Sequence, residues 1–189
     1  MSARILSSNE KEIVVELRIP RGKSFIDCEN TIQDELNAAG KLASEKCLED
    51  FDTDGSPIIV AGTTLTAKRQ RVSKKYQSPF GEITVPRFVY QSSLGGATEI
   101  PLEQSARIVG SSTPRMARLV SFKYAESNAG QVVKDAWESH RLNLSRCYIQ
   151  NVSAAMARQV TAKDPYWRYT RTENEPLPIN VASVSIGID

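Results

Sequence analysis

From Ser145 onward, Ile149, Val152, Met156 and Val160 recur at spacings of three and four, and Arg146, Gln150, Asn151, Ala154 and Arg158 stand off that stripe. This is the pattern of an amphipathic helix with a polar, basic outer face. Arginine presents two parallel donors to guanine O6 and N7, and glutamine or asparagine makes a two-point pair with adenine N6 and N7. The chemistry open to such a face is base reading in a DNA major groove. A second basic group lies upstream, where Lys68, Arg69, Arg71, Lys74 and Lys75 fall together with no acid among them. Cations so placed can neutralise backbone phosphates, as can Arg115, Arg118 and Lys123 on a helix of their own. The last candidate is Asp189, which follows a strand-like run from Val181 to Ile188 with Val181, Val184, Ile186 and Ile188 β-branched. A carboxylate at the end of a central strand can hold Mg²⁺ with acids from distant positions. Standing alone, it is as readily a solvated strand end.

Other chemistries find no support. The single histidine, His140, has no nucleophile paired with it in any recognisable pattern, and a helix end welcomes its partial positive charge. Cys28, Cys47 and Cys147 are widely spaced and form no C-x-x-C pair. That argues against a zinc ribbon or disulfide framework and fits a reducing cytoplasm. No phosphate-binding G-x-x-x-x-G-K loop, dinucleotide fingerprint or H-E-x-x-H occurs. The N-terminus carries no apolar core of a secretory signal, and no run approaches a membrane span, so the expected location is the cytoplasm, away from any membrane. A net charge of +2 over 189 residues is too small to announce nucleic acid by itself. Its distribution is more telling, because Ser24 to Asp54 is acid-rich.

The elements that must position these residues belong to the α+β class. Lys11 to Ile19 reads as a first strand, and Ser24 with Asp27 reads as a helix-opening capping box. The helix that follows carries an apolar stripe of Phe25, Ile32, Leu36, Ala39, Ala43 and Cys47, suited to packing or helix pairing and weakened at Gly40. After a turn at Asp52 to Ser56 come short β-like runs. Two of them flank "SPFG" as a hairpin, with the basic cluster on its first arm. Alternation along that arm places Arg69, Arg71 and Lys75 on one face and Lys68 and Lys74 on the other. Pro86 assigns its strand to an edge or a bulge.

From Thr113, as N-cap with Pro114 behind it, the period turns helical, with Met116, Leu119, Val120 and Tyr124 inward. A second helix from about Asn128 to His140 turns Val132, Val133, Ala136 and Trp137 inward, and the third follows "RLNLS" and ends at Pro165. Three short helices with a tight last connection match the trihelical helix-turn-helix. The expected organisation is therefore a strand-and-helix module over 1–56, a basic hairpin module over 57–112 and a helix-turn-helix-like module over 113–163. A linker over 164–180 then leads to a final strand over 181–189.

The strings "YQSPFGEITVPRFVYQSS", "PLEQSARIVGSSTPRMARLVSFKYAESNAGQVVKDAWE", "LSRCYIQNV" and "IGID" together resemble insertion-sequence transposases of the ISKra type, over nearly all of residues 76 to 189. The resemblance implies a DDE-type transposase, with DNA-binding modules before an RNase H-like catalytic domain. Asp189, in the family's G-x-D context, would be that domain's first catalytic and metal-binding acid. Mg²⁺ would belong to a full-length relative, with no cofactor in this fragment. Some relatives carry paired cysteines where this chain has Ser92 and Ser93, so no metal knuckle is expected. One carboxylate cannot hold two metal ions. The expectation is a DNA-binding fragment truncated at its first catalytic acid, incompetent for strand cleavage or transfer, whose partners are the double-stranded DNA of element ends and a possible second copy of itself. Two other readings stay open: a standalone helix-turn-helix regulator, and a protein-interaction module paired through the Phe25–Cys47 helix.

Overall fold

The computed structural model describes residues 3–93 and 95–163. The chain divides into two units, Met1–Met156 and Ala157–Asp189. The fold is mixed α+β, and its described residues form five helices and small antiparallel sheets. The expected linker over 164–180 and the expected strand over 181–189 with Asp189 lie outside the described residues.

The chain opens with a hairpin of β1 (Ala3–Ser8) and β2 (Ile13–Leu17), whose register shifts between Ile5 and Ser7. The expected strand at Lys11 to Ile19 is β2; β1, which the sequence reading did not assign, supplies its partner. Helix α1 (Phe25–Glu49) starts as anticipated. The Asp27 amide donates to Ser24 Oγ at 3.2 Å, and the Ser24 amide donates to Asp27 Oδ2 at 3.1 Å. Each bond satisfies a donor that the first helical turn would otherwise leave open.

The face that α1 buries differs from the expected one. Phe25 is 78% exposed and Leu36 50% exposed, and Ile32 and Cys47 are exposed as well. The buried residues of the helix are Asn37 and Leu48. The cause is the hairpin of β5 (Val72–Ser78) and β6 (Gly81–Arg87) that packs on α1. Its turn residue Phe80 lies where Gly40 has no side chain; a Cβ there would come within 2.4 Å of the ring. Close approach of backbone, rather than apolar residue type, chose the packed face. The β5–β6 turn itself is tied by Ser78, whose buried Oγ donates to the Gly81 carbonyl at 2.9 Å and accepts from the Phe80 amide at 3.2 Å.

A small sheet in the order β3-β4-β7 joins β3 (Ile58–Val60), β4 (Thr63–Ala67) and β7 (Tyr90–Gln91). The run read as one hairpin arm is therefore broken. β4 pairs with β3 and β7 whereas β5 pairs with β6, so the chain must turn between two sheets, and Lys68 to Arg71 form that connection. The period-2 placement of Arg69 and Arg71 beside Lys75 does not apply there. Pro86 does sit on an edge, since β5–β6 is two-stranded. A short helix, α2 (Pro101–Ser105), was not anticipated; its Leu102 joins Leu48, Tyr76, Ile83 and Val85 in one core cluster.

Helices α3 (Pro114–Glu126), α4 (Ala129–His140) and α5 (Arg146–Lys163) share the second core. Met116, Val120, Val132, Ala136, Leu142, Leu144, Ile149 and Val152 are all buried in it. Thr113 is the N-cap residue of α3, though its hydroxyl makes no capping bond. The start of α3 is tied to β5, because the Thr113 amide donates to the Gln77 carbonyl at 2.9 Å and the Gln77 amide to the Ser111 carbonyl at 2.7 Å. Two expected core positions are corrected: Trp137 and Val160 are both exposed. Trp137 finds a partner at the surface, with the Arg141 guanidinium 5.2 Å from its ring centroid.

Candidate nucleic-acid interface

Helix α5 begins after Ser145, whose Oγ accepts from the Tyr148 amide at 3.1 Å and whose carbonyl accepts from the Ile149 amide at 3.2 Å. Ile149 and Val152 turn into the core. Arg146, Gln150, Asn151 and Ala154 are exposed, as their phase on the helix requires. The Arg146 guanidinium lies beside Gly130 at the start of α4, with Nη2 3.4 Å from where a Cβ would be. Asn151 Nδ2 donates to Cys147 Sγ at 3.3 Å. Arg115 and Arg118 are exposed on α3, whereas Lys123 is 3.7 Å from Asp135. Arg158 belongs to the second unit and is also exposed.

The charge of this module is a stronger signal than the upstream cluster, and sequence reasoning passed over it. Residues 113–163 carry eight lysines and arginines against three acids, Glu126, Asp135 and Glu138. No acid occurs between Glu138 and Asp164, a span that contains all of α5. A helix without carboxylates on its outer face can approach a polyanion with no repulsion to overcome.

The upstream cluster is largely engaged within the protein. Arg71 Nη2 donates to Asp52 Oδ2 at 2.8 Å, and its guanidinium lies over the Phe88 ring. Lys74 Nζ donates to Glu103 Oε1 at 3.0 Å, and Lys75 Nζ is 2.7 Å from Glu82. Lys68 and Arg69 are exposed on the β4–β5 connection. Lys68 and Arg69 are thus exposed in the loop, while Arg71, Lys74 and Lys75 have carboxylate partners, Arg71 and Lys75 at exposed positions. The structure does not gather the five cations on one hairpin face.

Beneath Lys74, the Tyr76 hydroxyl donates to Glu103 Oε1 at 2.8 Å. Burial, with the Glu103 bond and charge adding to it, pushes the Tyr76 phenol well above its ordinary value. Burial also raises Tyr148, against a smaller opposing effect of its bond with Ser112. In the unfolded chain both ionise near the usual tyrosine value of about 10. Their stabilisation is therefore complete below that pH and is lost as pH rises toward the folded values. In an alkaline titration, Tyr76 and Tyr148 should ionise together with loss of structure, read from tyrosinate absorbance beside circular dichroism. Ionisation of every phenol with the native dichroism intact would contradict this.

Asp50, Asp52 and Asp54 alternate just before Gly55, a spacing seen in cation-binding loops. Two of these carboxylates, those of Asp52 and Asp54, hold groups of the protein itself. Asp52 Oδ2 accepts from Arg71 and from the Phe88 amide at 3.0 Å, and Asp54 accepts from the Ser56 amide and hydroxyl. Among the described residues, no three histidine, cysteine or acidic side chains converge as a metal site. No described helix is long and apolar enough to cross a membrane. Asp189, the acid that the transposase resemblance implies for Mg²⁺, lies outside the described residues. No family model matches this chain, and neither the curated proteins nor the solved structures yield a match.

Proposed function

We propose that this protein binds double-stranded DNA through its trihelical module, as a helix-turn-helix in which α5 enters the major groove. The observation that carries the reading is the outer face of α5, where Arg146, Gln150 and Asn151 are exposed on a helix without a single acid. Arg146 suits guanine, and Gln150 and Asn151 suit adenine. Arg115 and Arg118 are available for the phosphates that fix register. Lys68 and Arg69 on the β4–β5 connection are secondary phosphate contacts, and Arg158 keeps the role its position in the sequence suggests. Lys74 and Lys75 would have to exchange carboxylate partners for phosphates, which makes them minor contributors. The resemblance to ISKra-type transposases supplies the target class, the ends of a mobile element, and rests on the residue strings alone.

The test is fluorescence anisotropy of the purified chain on a randomised-sequence duplex across a salt series. Affinity should fall linearly with salt on logarithmic axes, with a slope that reports the number of phosphates engaged. Arg146→Ala should weaken binding roughly tenfold on a selected sequence and relax preference at one base position, whereas Arg115→Ala should weaken all sequences alike and reduce the salt slope by about one. Absence of binding at low salt would eliminate the proposal. A second reading, pairing of subunits across α1, draws on the exposure of Phe25, Ile26, Ile32 and Leu36 and is open to sedimentation equilibrium on the intact chain.

A further inference from the structure

We propose that Asn37, on α1, is a positioning residue for α5, acting through the turn that joins α4 to α5; its consequence for DNA rests on the reading above. The last carbonyls of any α-helix lack partners within the helix and must find them elsewhere. At the end of α4 two are answered locally. The Arg141 amide donates to the Trp137 carbonyl at 2.8 Å and the Leu142 amide to the Ala136 carbonyl at 3.0 Å. A third, the carbonyl of His140, is answered by a different element: Asn37 Nδ2 donates to it at 2.8 Å. Asn37 is 8% exposed, and its Oδ1 accepts from Gln33 Nε2 at 3.2 Å, which fixes the amide with its donor toward α4.

The turn held in this way is a strained one. Arg141 sits in the left-handed region at φ 56°, ψ 32°, a conformation that costs a residue with a Cβ and persists where surrounding contacts enforce it. Those contacts come from both sides. Asp34, one turn before Asn37, lies 3.9 Å from Arg141 Nε, and the guanidinium stacks on Trp137. Leu142 and Leu144 anchor the following residues in the core, and Ser145 then opens α5. The conformation of Arg141 therefore decides where α5 begins and which way Arg146 and Gln150 face. A leucine at position 37 would satisfy simple helix packing. A buried amide bonded to another helix's main chain instead selects one docking register, because any other leaves polar groups unpaired. On this view the DNA-reading unit is not α3–α5 alone; it includes α1.

The test compares Asn37→Asp, which keeps the volume and removes the donor, and Asn37→Leu with the parent by amide hydrogen exchange on the intact chain. The amides of Arg141 and Leu142 and those opening α5 should exchange at least roughly tenfold faster in both variants, with the α3 amides around Val120 at parent rates. Affinity for the randomised duplex should fall by a similar factor. Unchanged exchange in the turn overturns the proposal, and so does acceleration shared equally by α3, which would mark Asn37 as merely structural. A loosened turn with parent affinity for DNA also overturns it. A parent chain that binds no duplex at low salt sinks the DNA reading by itself, while the exchange comparison still decides whether α1 holds the turn.

Discussion

Glu103→Ala should destabilise the fold by about 3–5 kcal/mol, the cost of leaving a buried charge without its partner. One oxygen of Glu103 serves three groups: Lys74 Nζ at 3.0 Å, the Tyr76 hydroxyl at 2.8 Å and Arg87 Nη1 at 3.4 Å. Lys74 can swing into water when the acid goes. Arg87 cannot, because it is 7% exposed and its Nε and Nη1 make no hydrogen bond among the described residues. Its guanidinium would remain charged, since arginine does not release its proton in proteins. Arg87→Leu should cost far less, within about 1.5 kcal/mol, because the acid keeps Lys74 and Tyr76 as partners. The double variant should recover most of the loss caused by Glu103→Ala. Urea unfolding of the three variants measures all of this. A Glu103→Ala protein within about 1 kcal/mol of the parent would show that Arg87 is solvated after all.

Gly40→Ala should destabilise by about 2 kcal/mol, although the same change in an exposed helix is stabilising by about 1 kcal/mol. The added Cβ would lie 2.4 Å from Phe80 Cγ and 2.5 Å from Cδ1. Spinning the ring about its own axis leaves Cγ in place, so only a swing of the whole side chain relieves the clash. The Phe80 backbone is held by the Ser78 hydroxyl in a tight turn, so the ring would have to leave α1. Phe80→Ala in the Gly40→Ala background should then cost little more than Gly40→Ala alone, since both remove one contact. The comparison is made by thermal or urea unfolding. Additive losses would mean that Gly40 and Phe80 do not share a contact.

The parts of the fold that were legible in the sequence are those whose causes are local. The Ser24–Asp27 capping box spans four residues, and α3 to α5 follow one another through short connections with a clear helical period. The packed face of α1 was illegible because strands remote in sequence, β6 above all, cover it, and an apolar stripe says only what could be buried. Distance also hid two partners of the basic cluster: Asp52 lies 19 residues before Arg71 and Glu103 lies 29 residues beyond Lys74 in sequence. Alternation along residues 68–75 failed because the chain changes sheets there, and a change of sheet leaves no periodic mark. Strand β1 escaped notice because "ARILSS" alternates weakly and acquires its pairing from β2. At the candidate interface, the exposed positions of α5 were readable from phase alone. The missing acids of α5 were equally readable, yet an absence draws less attention than a run of lysines.

The bond between Asn37 and His140 also bears on the order in which the molecule assembles. It closes a span of 103 residues, whereas the β1–β2 and β5–β6 hairpins and the α3–α5 bundle each join near neighbours in the chain. Loop closure over a long span must be paid in entropy before its contacts return anything. The local pieces therefore form first, and α1 finds the end of α4 only when both are built. Losing that bond should leave the folding rate nearly unchanged and quicken unfolding instead. The bond from α1 to the turn ahead of α5 is thus a late contact, and its release should loosen that turn while the core shared by α3, α4 and α5 stays packed.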